Sequence, residues 1–447
     1  MSLTRDSSGA LQLGGVVLPQ VIAEVGTPTY VYDLDGMADR ARALDAAFEA
    51  APHLVAYAVK ANTAGAVVRT LAEAGCGADV VSGAELVVAL ACGIAPERIV
   101  YSGVAKKDDE IDRAIACGPA GIGAIQVESL EEIARVGVRA KLAGRRVKVS
   151  IRINPSVDLA DATHAHIATG HDEAKFGVPL EDVPRAVALA EGAPHLELVG
   201  MAVHAGSQLK HVAPYLGAAR VLFDQVRALR DGGVLRALTY VDSGGGFGVD
   251  YGEGAAVDPV DFVHAARAEL RLRGLDGLAL YVEPGRSLVA ASGVLVARVI
   301  QAKVASAARW LMIDAGMNDL MRPALYQARH RIVPLESESV KGEAVAWHVV
   351  GPVCESSDDF GEHLLPRYPP RVVAILDAGA YGYTMASRYN GRQMPVEVFL
   401  RGGEIVGKTE RATPESWAVE RATAGMERGD ESDRKTVLDL KPADGGA

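Results

Sequence analysis

At 447 residues the chain is long enough for two domains, and a composition of 49% hydrophobic and 23% charged residues is that of a folded globular protein, not a disordered one. Lys and Arg number 46 against 57 Asp and Glu, and the formal net charge of −11 argues against a nucleic-acid partner. The four cysteines, Cys76, Cys92, Cys117 and Cys354, form no CxxC pair and show no metal-ligand spacing, so free thiols in a reducing cytoplasm and no metal site are expected. The first fifteen residues lack the apolar core of a signal peptide, and the longest apolar stretch, Leu86 to Ile94, falls well short of the ~20 residues of a membrane span. A cytoplasmic protein without a membrane partner is the expectation.

Along the chain, residues 1–30 contain one short β-like piece, Gly15 to Leu18, and are expected to join a β-domain further on. From 31 to 286 short β-branched runs alternate with helical patterns, the signature of βα units on a parallel sheet. Eight strands are predicted: Leu54 to Val59, Ala78 to Val81, Ile99 to Tyr101, Gly121 to Gln126, Val147 to Ile153, Leu198 to Val203, Leu238 to Val241 and Leu278 to Val282. Between the sixth and seventh, Tyr215, Leu216, Ala219, Leu222, Phe223, Val226 and Leu229 recur at helical spacing on one face. Eight strands with intervening helices predict a closed (β/α)8 barrel, whose chemistry sits at the C-terminal ends of the strands. After Arg286 the pattern changes to β-runs without regular helices, including Val294 to Val304, Trp310 to Ile313, Ala344 to Val350, Val372 to Leu376 and Val396 to Leu400, and an all-β domain over 287–415 is expected. The tail, 416–447, is polar and poor in aromatics, and part of it is expected to be disordered.

The predicted strand ends carry polar residues. Lys60 in YAVKAN follows the first strand, where a desolvated amine could lose its proton and form a Schiff base with a carbonyl cofactor, although most lysines after a strand are simply solvated. Asp79 lies in the second strand, Ser82 follows it, and Asn154 follows the fifth. His204 in HAGSQ ends the sixth, where it could stack on a flat ring while Ser207 donates to phosphate; a structural histidine is the plain alternative. After the seventh strand, Gly244, Gly245 and Gly246 in DSGGGFG could bring backbone N–H groups against an anion, or form no more than a tight turn. Their place beside the eighth strand is the informative part, because the last two loops of such barrels frequently build a phosphate site. Glu283, Pro284, Gly285 and Arg286 put a carboxylate suited to a protonated pyridine nitrogen next to a guanidinium suited to phosphate or carboxylate, or else form an ion pair. In the expected β-domain, Cys354 stands beside Glu355 in GPVCESSD, and Tyr381 lies in DAGAYG.

Taken together and in this order, YAVKAN, HAGSQ, GGGFG, EPGR, GPVCES and GAYG resemble the alanine-racemase-like (fold type III) pyridoxal-phosphate enzymes, and within them the diaminopimelate, ornithine and arginine decarboxylases, over roughly Thr27 to Arg411. The resemblance implies pyridoxal 5'-phosphate as cofactor, with Lys60 as its Schiff-base lysine, His204 stacked on its ring and Glu283 on its pyridine nitrogen. Asp79, Ser207, Gly244 to Gly246, Pro284, Gly285, Arg286 and Tyr381 are the further cofactor-binding residues so implied. Cys354 would be the acid that protonates the decarboxylated carbon, supplied from the neighbouring subunit of a homodimer. The segment MRPALY is similar to the enzymes acting on diaminopimelate, in which residues matching Arg322 and Tyr326 grip the distal carboxylate, with Arg286, Glu355 and Tyr381 also facing substrate. Decarboxylation of meso-2,6-diaminopimelate to L-lysine, the last step of lysine biosynthesis, is therefore expected. Three rivals stand beside it: a decarboxylase of another amino acid, a racemase, and a noncatalytic decarboxylase-like regulator, which would have no need of both Lys60 and Cys354. In the loop HIATGHDEAKFG, Ala174 departs from the small polar residue common at that position.

Overall fold

The computed structural model describes residues 3–157, 175–254, 256–306, 308–336, 343–422 and 424. The chain divides into two compact units: one holds 33–293 together with Asp377–Thr384, the other Leu3–Tyr32, Val294–Leu376 and the described residues from Met385 onward.

The first unit is built on a closed barrel of eight parallel strands taken in chain order: His53–Ala58, Gly77–Val80, Ile99–Tyr101, Ala124–Val127, Val147–Arg152, Leu196–Ala202, Tyr240–Gly245 and Ala279–Glu283. Each overlaps a predicted strand, because a strand buried on both faces reads as an unbroken apolar run. Helices lie between the strands, and side chains cap several of them. Ser82 accepts from the Glu85 N–H at 3.2 Å and Ser129 from the Glu132 N–H at 3.1 Å, which satisfies donors that the first helical turn leaves unpaired. The long crossover helix Val212–Asp231 buries Tyr215, Ala218, Ala219, Leu222, Phe223 and Val226; Leu216 and Leu229, at the margins of the stripe, are only half-buried.

The second unit contains a nine-stranded sheet and a small antiparallel sheet of Leu3–Arg5, Leu11–Leu13 and Val16–Val17. The predicted runs appear as Gly293–Val304, Arg309–Ile313, Ala344–Val350, Val372–Ile375 and Val396–Arg401. Four strands of the nine-stranded sheet have no counterpart in the sequence prediction: Thr29–Asp33, Ile332–Pro334, Asp359–Pro366 and Glu404–Lys408. Thr29–Asp33 is the most consequential, since it lies between Gly293–Val304 and Val396–Arg401 and ties the N-terminal segment into the middle of the sheet. A core of Leu11, Leu13, Leu18, Val31, Val296 and Val398, among others, joins that segment to the sheet. A short helix at Arg322–Tyr326 interrupts what the sequence presented as β-structure alone, and a second, Pro414–Ala422, runs from the end of the expected β-domain into the expected tail.

One placement corrects the sequence reading. Tyr381, assigned there to the β-domain, belongs to the barrel unit. Its N–H donates to the Ala61 carbonyl at 2.8 Å, and Asn62 Nδ2 donates to the Gly379 carbonyl at 3.0 Å. Gly379 packs so closely that a Cβ would stand 2.0 Å from the Val289 carbonyl oxygen. Chain order placed the segment among strands, whereas backbone pairing to the turn after the first barrel strand decides where it sits. Ala174 and the tail beyond Ala424 lie outside the described residues.

Candidate active site

The C-terminal rim of the barrel brings together most of the residues singled out in the sequence. Lys60 sits in a 3-10 turn, Val59–Ala61, directly after the first strand, and its Nζ donates to Asp79 Oδ2 at 2.7 Å. Asp79 is fully buried on the second strand, and its other oxygen accepts from the Ser102 hydroxyl. Burial pulls the Lys60 amine towards its neutral form, but the charges of Asp79, Tyr381 and Glu283 outweigh it and hold the amine above the ordinary lysine value.

Across the rim, the Gly245 N–H donates to His204 Nδ1 at 3.3 Å, and Glu283 Oε2 lies 3.5 Å from the same ring nitrogen. Burial pushes the Glu283 carboxyl up, but His204, Lys60 and Arg152 outweigh burial and leave it below the usual carboxylate value. Its Oε1 is buried with no hydrogen-bond partner among the described residues. The glycine run is dictated by close backbone approach: a Cβ on Gly245 would stand 1.9 Å from the Glu283 carbonyl oxygen, and one on Gly246, at φ +86°, 2.1 Å from that of Gly206. Pro284 offers its carbonyl to the Ala58 N–H at 3.0 Å, and Gly285 leaves room beside Ala58 and Ala61, so the EPGR turn is fastened to the strand that carries Lys60. Arg286 donates to Ser207 Oγ at 2.9 Å and to the Tyr251 hydroxyl at 2.8 Å, while its guanidinium stacks 4.8 Å from the centre of the Tyr381 ring. Lys60, Asp79, His204, Ser207, the glycines, Glu283, Arg286 and Tyr381 thus form one constellation within the barrel unit.

The second unit holds the rest. Arg322 is buried at the start of its short helix, and its Nη1 donates to His330 Nε2 at 2.6 Å; His330 Nδ1 in turn donates to the Leu376 carbonyl at 2.8 Å. Tyr326, one turn on, is half-buried. Cys354 is exposed, unlike a thiol that merely fills a core. Its N–H donates to Asn390 Oδ1 at 3.0 Å, and the neighbouring Glu355 accepts from the Tyr389 hydroxyl at 2.5 Å. Residues 34–290, more than half of the chain, match the model of the pyridoxal binding domain of pyridoxal-dependent decarboxylases.

The chain belongs to the pyridoxal-dependent decarboxylases. Among curated relatives, the diaminopimelate decarboxylase of Zymomonas mobilis is 39% identical over 402 residues, covering 89% of this chain and 93% of its own. That of Pseudomonas aeruginosa is 39% identical over 403 residues, covering 89% of this chain and 94% of its own. A crystal structure of diaminopimelate decarboxylase from Helicobacter pylori, complexed with L-lysine, superposes with a TM-score of 0.83 at 36% identity, covering 90% of this chain and 99% of that one.

Sequence reasoning about this decarboxylase missed three groups of the rim: Ser102, Tyr251 and Asp242. Ser102 directly follows the third strand, so the strand-end rule that found Lys60 would have reached it. Asp242 was read only as the first letter of a glycine motif, yet it lies on the seventh strand, fully buried. Tyr251 comes six residues after that strand, in a loop whose spacing carries no signal.

Proposed function

We propose that the protein decarboxylates meso-2,6-diaminopimelate to L-lysine and CO2, with pyridoxal phosphate held at the barrel rim. The observation that carries this is the rim itself, a lysine paired with a buried aspartate opposite a buried carboxylate oxygen that has no partner, in a chain about two-fifths identical to diaminopimelate decarboxylases along nearly nine-tenths of its length. When bound, pyridoxal phosphate supplies an electron sink for the pair left behind as CO2 departs. Its fit to these residues is chemical. The orphan Oε1 of Glu283 suits a protonated ring nitrogen, and Ser207, Arg286 and Tyr381 suit a phosphate. Lys60 would hold the cofactor covalently, and its hydrogen bond to Asp79 Oδ2 fixes where the Nζ stands. His204 would lie flat against the ring, with the Gly245 N–H fixing its Nδ1.

Substrate choice falls to the second unit. Arg322 and Tyr326 would take the distal carboxylate, and the hydrogen bond to His330 fixes the direction of the guanidinium fork. Glu355 would face the substrate, and the exposed Cys354 thiol would deliver a proton from Sγ. We further propose a cytoplasmic homodimer in which Cys354 serves the partner's site; among the described residues no helix is long and apolar enough to cross a membrane. CO2 release measured on purified enzyme with meso-diaminopimelate, lysine, ornithine and arginine tests the reading. Diaminopimelate should be strongly preferred, and a preference for lysine or ornithine would overturn the substrate assignment.

A further inference from the structure

Asp242 and Glu283 stand on neighbouring strands of the barrel, paired in the register Asp242↔Tyr281 and Gly245↔Glu283. Asp242 is fully buried, and its Oδ1 is occupied by the Gly244 N–H at 2.8 Å. Its Oδ2 is buried and finds no donor among the described residues, as is true of Glu283 Oε1. The two carboxyl groups are within hydrogen-bonding reach of each other. Ionised carboxylates can only accept, so two of them would leave Asp242 Oδ2 orphaned and set two like charges in contact; a single proton on Asp242, donated to the Glu283 carboxylate, removes both problems.

Among the described residues, the groups that act most strongly on Asp242 include no cation. From the second strand it meets Asp79, which is itself an acid; from its own strand Tyr240, from the eighth Tyr281, and from the crossover helix Tyr215, whose hydroxyl is engaged with Ser243 at 2.6 Å. The neighbours that favour an ionised carboxyl act on the other member of the pair: His204, Lys60 and Arg152 all favour a charged Glu283. Two of these have further commitments, Lys60 to Asp79 at 2.7 Å and Arg152 to Glu128 at 3.2 Å. Burial and the charge of Glu283 both push the Asp242 carboxyl up.

We propose that Asp242 and Glu283 share one proton, so that Asp242 is a neutral acid donating to the Glu283 carboxylate and thereby positions the one negative charge that faces the cofactor ring. Asp242 is a positioning residue: it acts through Glu283. Its hydrogen bond fixes one Glu283 oxygen in place, and its neutrality limits the pair to the single charge that a protonated ring nitrogen matches. Burial away from water and a like-charged neighbour both favour the neutral form of a carboxylic acid, and Asp242 has both.

The inference rests on the placement of the cofactor ring at Glu283, and its primary test is independent of substrate identity. Infrared difference spectra of wild-type holoenzyme minus Asp242→Asn holoenzyme, taken at about pH 7.5, near neutrality where an ordinary aspartate is ionised, should show loss of the carbonyl stretch of a protonated carboxylic acid. Loss of carboxylate stretches instead would overturn the proposal. Asparagine keeps the acceptor for Gly244 and a donor for Glu283, so the Asn variant should hold pyridoxal phosphate within about threefold of the wild-type Kd. Asp242→Val deletes the donor and should weaken cofactor binding at least about tenfold, the loss expected when a hydrogen bond to a charged group is removed. If the Val protein does not fold, the infrared difference still decides. Equal cofactor affinity in the Val and wild-type proteins would refute the positioning role, whereas failure on the substrate panel alone would leave the carboxyl pair standing.

Discussion

Arg322→Ala puts the substrate assignment under the most direct strain. The guanidinium is 4% exposed and donates to His330 Nε2 at 2.6 Å, so its removal has two separable consequences. The first is structural: His330, itself 2% exposed, keeps its bond to Leu376 but loses the donor at Nε2, and an orphaned buried acceptor costs about 1–3 kcal/mol of stability. The second is functional, because a buried charge-assisted pair with a substrate carboxylate contributes about 2–5 kcal/mol. That corresponds to a fall in kcat/KM for diaminopimelate of about 30-fold at the lower bound and some thousands at the upper. Arg322→Lys, which keeps the charge but loses the planar fork, should fall between. Steady-state kinetics alongside thermal melts separates the two consequences, and the cofactor absorbance near ~420 nm should be unchanged, since the barrel residues are untouched. A folded Arg322→Ala enzyme with wild-type kcat/KM on diaminopimelate would refute the assignment of the distal carboxylate.

Three further outcomes are expected. Borohydride reduction of the holoenzyme followed by peptide mapping should place the label on Lys60; a label on Lys106, whose amine is buried against the Gly103 and Gln126 carbonyls and Glu132, would contradict the role of Lys60. Mixing Lys60→Ala with Cys354→Ala should regenerate activity if sites are shared between subunits, because a hybrid dimer then holds one intact pair, and no recovery despite proven subunit exchange would refute sharing. Asp79→Asn should lower the pKa of Lys60, since burial then acts without its main counterweight, and should shift cofactor capture by the apo-protein to lower pH; an unmoved profile would refute the pairing. The sign for stability follows from the same pair. Lys60 is raised in the folded state, so the contribution of the pair is present below the unfolded lysine value of about 10.4 and fades as pH climbs through the folded one.

The amino-acid sequence alone determined the barrel and much of its rim. Buried parallel strands must be apolar runs, and active groups of such a barrel must follow those runs, so Lys60, His204, the glycines and Glu283 were legible from position and type. The long crossover helix was equally legible, because its buried stripe repeats at helical spacing. Only the tertiary structure decided where the remaining pieces belong. Thr29–Asp33 became a central strand of the second sheet, and Tyr381 joined the barrel, through backbone pairings to partners far away in the chain that no local pattern encodes. The same holds for electrostatics. Asp79 and Lys60 are 19 residues apart and Asp242 and Glu283 farther still, and each pair acquires its protonation behaviour only when the fold brings the groups together.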